Sequence, residues 1–367
     1  MATISETFNL ALQHHQAGRL PEAEALYRQI LQAHPTHADA LHLLGVIAHQ
    51  SGRHEIAVEY ITRAIALNPG AVEYHCNIGE AYRAQGKLEE AVAHYQEAIA
   101  RHPAYAEAHC NLGIVLNTRG NPLEAMARFR QALALKPTFA EAYSNMGNVF
   151  QEQGNLTEAM AHYRQALALK PTYAEAHCNL GIALNARGNP SEAMAHFRQA
   201  LALKPTYAEA HCNLGIALNA RGNPSEAMAH FRQALALKPD FAEVYNNMGN
   251  VFQEQGNLTE AAAHYKKALA IKPIFVEAEI QAMHLMQHFC EWAGLGDLFA
   301  RQCARFRVRP EARVPSFLLL SIPSSPAEQL ACARNWAAGF DPYVQQRESL
   351  GFCFSKSPKP RLRIGYL

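Results

Sequence analysis

Apolar and polar positions along this chain follow two interleaved patterns that repeat as one block of 34 residues. Residues 174–207 show the block most clearly. A first helical stretch carries Leu180 and Gly181, with Gly188 marking its end. Glycine at Gly181 admits close approach of a second helix, because it has no Cβ, and Gly188 suits the left-handed conformation that closes helices. The four residues Asn189-Pro190-Ser191-Glu192 then read as a helix start: Asn at the cap, Pro in the first turn, and Glu placed to reach back. The same grammar recurs at Asn155-Leu156-Thr157-Glu158 and Asn257-Leu258-Thr259-Glu260. In the second helix Ala193, Phe197 and Ala200 stand at i, i+4 and i+7, which makes one apolar stripe. Lys204-Pro205 ends it.

The recurrent proline falls at Pro35, Pro69, Pro103, Pro137, Pro171, Pro205, Pro239 and Pro273. It divides the chain into the units 4–37, 38–71, 72–105, 106–139, 140–173, 174–207, 208–241 and 242–275. A strict period of this length predicts a stack of helical hairpins rather than a globular enzyme core. One hairpin cannot stand alone. Ordering its backbone costs roughly 1–2 kcal/mol per residue, and each large side chain fully buried returns only about 1.5–3 kcal/mol. Stacking on neighbours supplies the missing burial. Residues 172–205 and 206–239 are identical, and 138–171 and 240–273 nearly so, which indicates recent duplication.

Numbered from the start of each unit, Gly or Ala at position 8, Ala at 20, an aromatic at 24, Ala at 27 and Pro at 32 resemble the tetratricopeptide repeat over residues 4–275. The resemblance implies an all-α right-handed superhelix (an α-solenoid) of about eight repeats, with first helices on the concave side. After Pro273 the period fails. Residues 276–293 are expected to form a capping helix, and 294–360, broken by several prolines, an irregular helical linker.

The candidate binding surface is a row at position 6: Asn9, Asn77, Asn111, Asn145, Asn179, Asn213 and Asn247, interrupted by Leu43. A carboxamide both donates and accepts, so it can pair with a peptide amide in either sense. Such a row would hold extended chain while largely ignoring its side chains. Position 12 adds Asn117, Asn185 and Asn219, with Gln151 and Gln253 between and after them. The competing reading of these residues is structural, since asparagine before Leu-Gly is common in this repeat. The position-4 histidines, such as His177, read as packing residues, and His162, His196, His230 and His264 as a solvated face.

Charge and cysteine content narrow the partners. Lys and Arg total 33 against 32 Asp and Glu, which gives no general pull toward nucleic acid or acidic membrane. Neither a membrane-spanning run nor a signal-peptide core is evident, so the expected compartment is the cytoplasm. Cys76, Cys110, Cys178 and Cys212 recur at position 5, each after a histidine. Packed helices lie about 8–10 Å apart, whereas zinc binds ligands at about 2.0–2.3 Å. Equivalent residues of successive repeats therefore cannot share an ion, and no metal ligands and no catalytic residues are assigned.

The Phe289-Cys290-Glu291-Trp292 segment, the Pro315-Ser316-Phe317-Leu318-Leu319-Leu320 stretch and the final Arg361-Leu362-Arg363-Ile364-Gly365-Tyr366-Leu367 sharpen the resemblance. Together with the asparagine row they look like the N-terminal part of bacterial protein O-GlcNAc transferases, the SPINDLY-like glycosyltransferases. In that family the Arg-Leu-Arg-Ile-Gly-Tyr strand opens the first of two Rossmann-like lobes. The resemblance implies that 361–367 is the first strand of a truncated catalytic domain. It also implies that the chain recruits protein substrates and is inactive alone. UDP-GlcNAc would be the donor of the intact family member, with no cofactor in this chain. Extended peptide segments are the implied partners, and a homodimer through the repeats is compatible with the resemblance. The alternative is a free-standing tetratricopeptide adaptor.

Overall fold

In the computed structural model, placement is described for residues 3–289 and, beyond them, for Leu298, Arg301 and Ala304. The expected linker (294–360), the end of the expected capping helix (290–293) and the expected strand (361–367) lie outside the described residues, apart from those three positions. The described chain is helical throughout. Paired helices follow one another as α1 (Ile4–Gln16), α2 (Leu20–Ala33), α3 (Ala38–Gln50), α4 (His54–Leu67), α5 (Val72–Ala84) and α6 (Leu88–Arg101). The series continues with α7 (Ala106–Thr118), α8 (Pro122–Leu135), α9 (Ala140–Glu152), α10 (Leu156–Leu169), α11 (Ala174–Ala186) and α12 (Pro190–Leu203). It closes with α13 (Ala208–Ala220), α14 (Pro224–Leu237), α15 (Ala242–Glu254), α16 (Leu258–Ile271) and α17 (Val276–His288). The fold is an all-α solenoid of helical hairpins.

Residues 1–239 form one compact unit. Each odd helix packs along its own even partner, and each even helix from α2 to α12 then packs on the next odd one. Successive first helices, from α3 through α13, also touch one another, while the second helices make no comparable contact among themselves. The first helices are therefore the crowded layer, and side chains at equivalent positions of neighbouring repeats can meet there.

Two glycines in each hairpin explain its shape. At Gly188 the backbone has φ of +79°, and a Cβ there would meet nothing, so the requirement is conformational. At Gly181 a Cβ would come within 2.6 Å of the Phe197 ring. That glycine thus makes room for the aromatic side chain at position 24 rather than for the second helix's backbone. Phe197 is almost wholly buried as a result, a burial that contributes about 1.5–3 kcal/mol.

The capping grammar is only partly used. Asn189 and Asn257 accept from the backbone N–H of Glu192 and Glu260 at 3.4 and 3.3 Å. Glu192 takes a bond from the Asn189 side chain instead of reaching the cap backbone. Asn155 makes no side-chain cap. The full reciprocal box forms at α1, between Thr3 and Glu6. Lys-Pro at the ends of the hairpins from 106–139 onward does more than stop a helix. Lys136 and Lys204 reach back to Glu107 and Glu175 at 2.7 and 3.2 Å. Each ammonium also lies 4.8 Å from a ring centroid, of Phe139 or Tyr207. Exposed pairs of this kind contribute about 0–1 kcal/mol each.

The second compact unit begins at Asp240. Within it α15 and α16 form another hairpin of the same kind, with the Tyr265 ring against Gly249, and α17 packs on α16. Arg301 approaches the buried Glu279 of α17 at 3.5 Å.

Candidate functional site

Position 6 puts its asparagines on the first helices. Asn9 on α1 is exposed, while Asn77 (α5), Asn111 (α7), Asn145 (α9), Asn179 (α11), Asn213 (α13) and Asn247 (α15) are half-buried. Within residues 1–239 these lie on the layer where first helices touch. Several amides bond back to the preceding repeat. Asn77 Nδ2 lies 2.8 Å from His42 Nε2. Asn145 and Asn213 donate to the thiols of Cys110 and Cys178 at 3.6 and 3.9 Å. Asn179 donates to Asn148 Oδ1 at 3.0 Å. At position 12 Asn117, Asn185 and Asn219 are half-buried too, and Asn117 donates forward to Glu152 at 2.8 Å.

Each of these bonds uses one amide hydrogen. A carboxamide has two such hydrogens and two acceptor lone pairs. A row member bonded once to the preceding repeat therefore has its carbonyl oxygen and a second N–H outside that bond. The bond to the neighbour also fixes the side chain's direction.

Position 9 stands beside this row, and its residue type sorts the repeats. Tyr163 donates its hydroxyl to Asn148 and Gln151 at 2.8 and 3.2 Å, and Tyr265 does the same to Asn250 and Gln253. Where position 24 is Phe, as at Phe129, Phe197 and Phe231, position 9 is Ile114, Ile182 or Ile216. From α5 onward, polar and apolar residues at position 9 thus follow the presence of a hydroxyl to satisfy; in the first hairpin position 9 is Leu12 although position 24 is Tyr27. The 34-residue alignment holds this covariation, and reading only position 6 and position 12 passes over it.

Cys76, Cys110, Cys178 and Cys212 are free and buried. Burial pushes the thiols of Cys76 and Cys110 up to about 12 and that of Cys178 to about 11, so they stay protonated near neutrality. They act as small apolar groups, and Cys110 and Cys178 are weak acceptors for Asn145 and Asn213. Among the described residues no group of three or more His, Cys, Asp or Glu is placed to hold a metal ion. None of the described helices is long and apolar enough to cross a membrane.

His162, His196, His230 and His264 are half-buried rather than on the solvated face expected for them. His94, His196 and His230 are half-buried, and each faces a position-4 histidine of its own hairpin: His75, His177 and His211. Burial and that neighbouring ring lower all three below the usual histidine range.

Comparison with known proteins follows the same hairpins. A family model described as TPR repeat matches residues 79–120, 118–154, 147–188, 183–222 and 217–256. Models described as Tetratricopeptide repeat match 8–72 and 242–275. No curated protein matches the chain. Among solved structures, the chain is similar to one from the APC/C hetero-tetramer Cut9-Hcn1, at 20% identity and a TM-score of 0.63. That likeness covers 73% of this chain and 52% of the other, so this chain spans about half the length of that relative. It is also similar to PilF of Pseudomonas aeruginosa, at 22% identity and a TM-score of 0.50, over 57% of this chain and 96% of that one. MamA shares 26% identity over 45% of this chain and 97% of its own, with a TM-score of 0.38. At these identities the two closer folds speak to architecture alone. The hairpin geometry and the matched profiles agree, and the chain belongs to the tetratricopeptide-repeat family.

Proposed function

We propose that this repeat scaffold, suited to protein–protein interaction, binds extended peptide segments along its asparagine row. The observation that carries the reading is the set of half-buried position-6 carboxamides in the first-helix layer, several pinned by one amide hydrogen to the preceding repeat. Asn77, Asn111, Asn145, Asn179, Asn213 and Asn247 would pair with backbone amides of the bound chain, and Asn117, Asn185 and Asn219 would extend the contact. The near-identity of the central repeats supports a sequence-tolerant grip, since identical repeats offer identical contacts. Probing an array of immobilised peptides of varied sequence tests this. Replacing Asn111, Asn145, Asn179 and Asn213 with Ala is expected to lower binding across the array while helicity persists.

The finer reading is that the scaffold recruits protein substrates for a UDP-GlcNAc-dependent protein O-glycosyltransferase. Its support is the resemblance carried by residues 289–292, 315–320 and 361–367. A reading frame that continues past codon 367 into a Ser-x-Asp-Phe-x-x-His-like segment would favour it; an immediate stop favours the free-standing adaptor.

A further inference from the structure

The pairing of position-4 and position-23 histidines recurs in three hairpins. Nδ1 of His75 lies 3.2 Å from Nδ1 of His94, and the pairs His177–His196 and His211–His230 stand at 3.0 Å. The other ring nitrogen, Nε2, of each position-4 histidine meets the carbonyl oxygen of the recurrent proline just before it. These distances are 3.3 Å to Pro69, 3.0 Å to Pro171 and 3.2 Å to Pro205. A carbonyl only accepts, so Nε2 carries the hydrogen there. The position-4 Nδ1 is then left as a lone pair aimed at its partner.

We propose that these three histidine pairs are binding sites for a divalent transition metal such as Zn²⁺. Zinc–imidazole bonds are about 2.0–2.1 Å, which puts two nitrogens of a tetrahedral site about 3.3 Å apart. The observed separations match that span to within a few tenths of an ångström, and each ring must also turn by roughly 35° to aim its lone pair at an ion off the Nδ1···Nδ1 line. The backbone carbonyl behind each position-4 ring is the kind of outer partner that orients metal-bound histidine. In the metal-free pair the position-23 ring donates Nδ1–H to the position-4 Nδ1. On binding, that hydrogen moves to the position-23 Nε2, so both Nδ1 lone pairs face the ion and no net proton is released from the neutral pair.

Nearby charges leave the rest of the coordination sphere to water. Glu192 and Glu226, one turn before His196 and His230, lie 3.5 and 3.7 Å from Arg164 and Arg198. His94 has Glu97 in its electrostatic surroundings and stacks on Tyr82 with 5.5 Å between centroids. With two protein ligands the sites are weak and independent, one per hairpin, and protons compete with the metal for the ring nitrogens.

The hairpin 106–139 supplies an internal contrast. His109 makes the same Nε2 contact, 3.0 Å to the Pro103 oxygen, but Arg128 stands at position 23. Its Nδ1 is buried without a hydrogen-bond partner.

Calorimetric titration of the chelator-stripped, reduced full chain with Zn²⁺ tests the proposal. The triple variant His94→Arg, His196→Arg, His230→Arg copies Arg128 and should bind three equivalents fewer than the unsubstituted protein. A second triple variant, His75→Tyr, His177→Tyr, His211→Tyr, copies Tyr143 and Tyr245 and should lose the same three. The single change Arg128→His should add one equivalent. The proposal is overturned if both triple variants lose fewer than two equivalents, or if Arg128→His adds none while its circular dichroism is unchanged.

Discussion

The side-chain amide of Asn77 lies 2.8 Å from Nε2 of His42, joining one hairpin to the one before it. His42 is 7% exposed, and burial lowers it to about 4, against the opposing pull of Asp39 and Glu73. As a neutral ring it accepts the amide hydrogen. In the unfolded chain the same group titrates near 6.5. Between these values the unfolded state binds the extra proton, so the stabilisation from neutral His42 is complete above about pH 6.5 and is lost as pH falls toward 4.

That linkage predicts that His42 accounts for about 2 kcal/mol of stability lost between pH 7 and pH 5. His49, His94, His162, His196 and His230 are lowered mainly by burial as well and act with the same sign. Replacing His42 with Cys, the residue that receives the asparagine at Cys110 and Cys178, isolates its share. Urea unfolding of both proteins at the two pH values should show a smaller pH effect in His42→Cys by about that amount.

Tyr27 carries a different lesson about hydroxyls. It is 0% exposed, its hydroxyl has no hydrogen-bond partner, and burial pushes its ionisation up to about 12. Leu12 stands at position 9, where Asn148 accepts from Tyr163. A buried unpaired hydroxyl costs about 1–3 kcal/mol. Tyr27→Phe should therefore raise stability by about 1 kcal/mol or more, whereas Tyr163→Phe should lower it by about 1 kcal/mol. Denaturant midpoints of the two variants check both signs.

Gly181 and Phe197 form a size-matched pair. A methyl at Gly181 would lie 2.6 Å from the ring, so Gly181→Ala should destabilise by about 1–3 kcal/mol through overpacking, reduced by the helix preference of alanine. Phe197→Leu should cost about 1–3 kcal/mol from lost burial. In the double variant the methyl enters space the ring has left. The two costs should then sum to more than the measured total, a coupling read by a double-mutant cycle.

Much of this architecture is legible in the 34-residue period. Gly188 and Pro190 mark the turn between α11 and α12, because φ above zero and the first helical turn have narrow residue preferences. The placement of Asn179 on a first helix follows from its spacing to Gly181. What its amide bonds to does not, since Asn148 belongs to the preceding hairpin and is reached only through stacking. The His177–His196 pair was hidden for a similar reason: its two rings come from opposite helices of one hairpin, and helical periodicity assigns each to a face without naming what lies opposite. Asn155 has the residue type of a cap yet makes no cap bond, so local propensity alone did not decide it.

A grip on peptide backbone by the carboxamide row is directly measurable. One extended peptide bound by the array would be labelled and measured by fluorescence anisotropy in three forms: unmodified, with its side-chain order scrambled, and with backbone amides N-methylated. Four hydrogen bonds at about 0.5–1.5 kcal/mol each correspond to a loss of at least about tenfold. The account predicts that loss for N-methylation, and for Asn111, Asn145, Asn179 and Asn213 replaced together by Ala, with scrambling changing affinity little. Unchanged affinity in the N-methylated peptide or in the fourfold variant would contradict it.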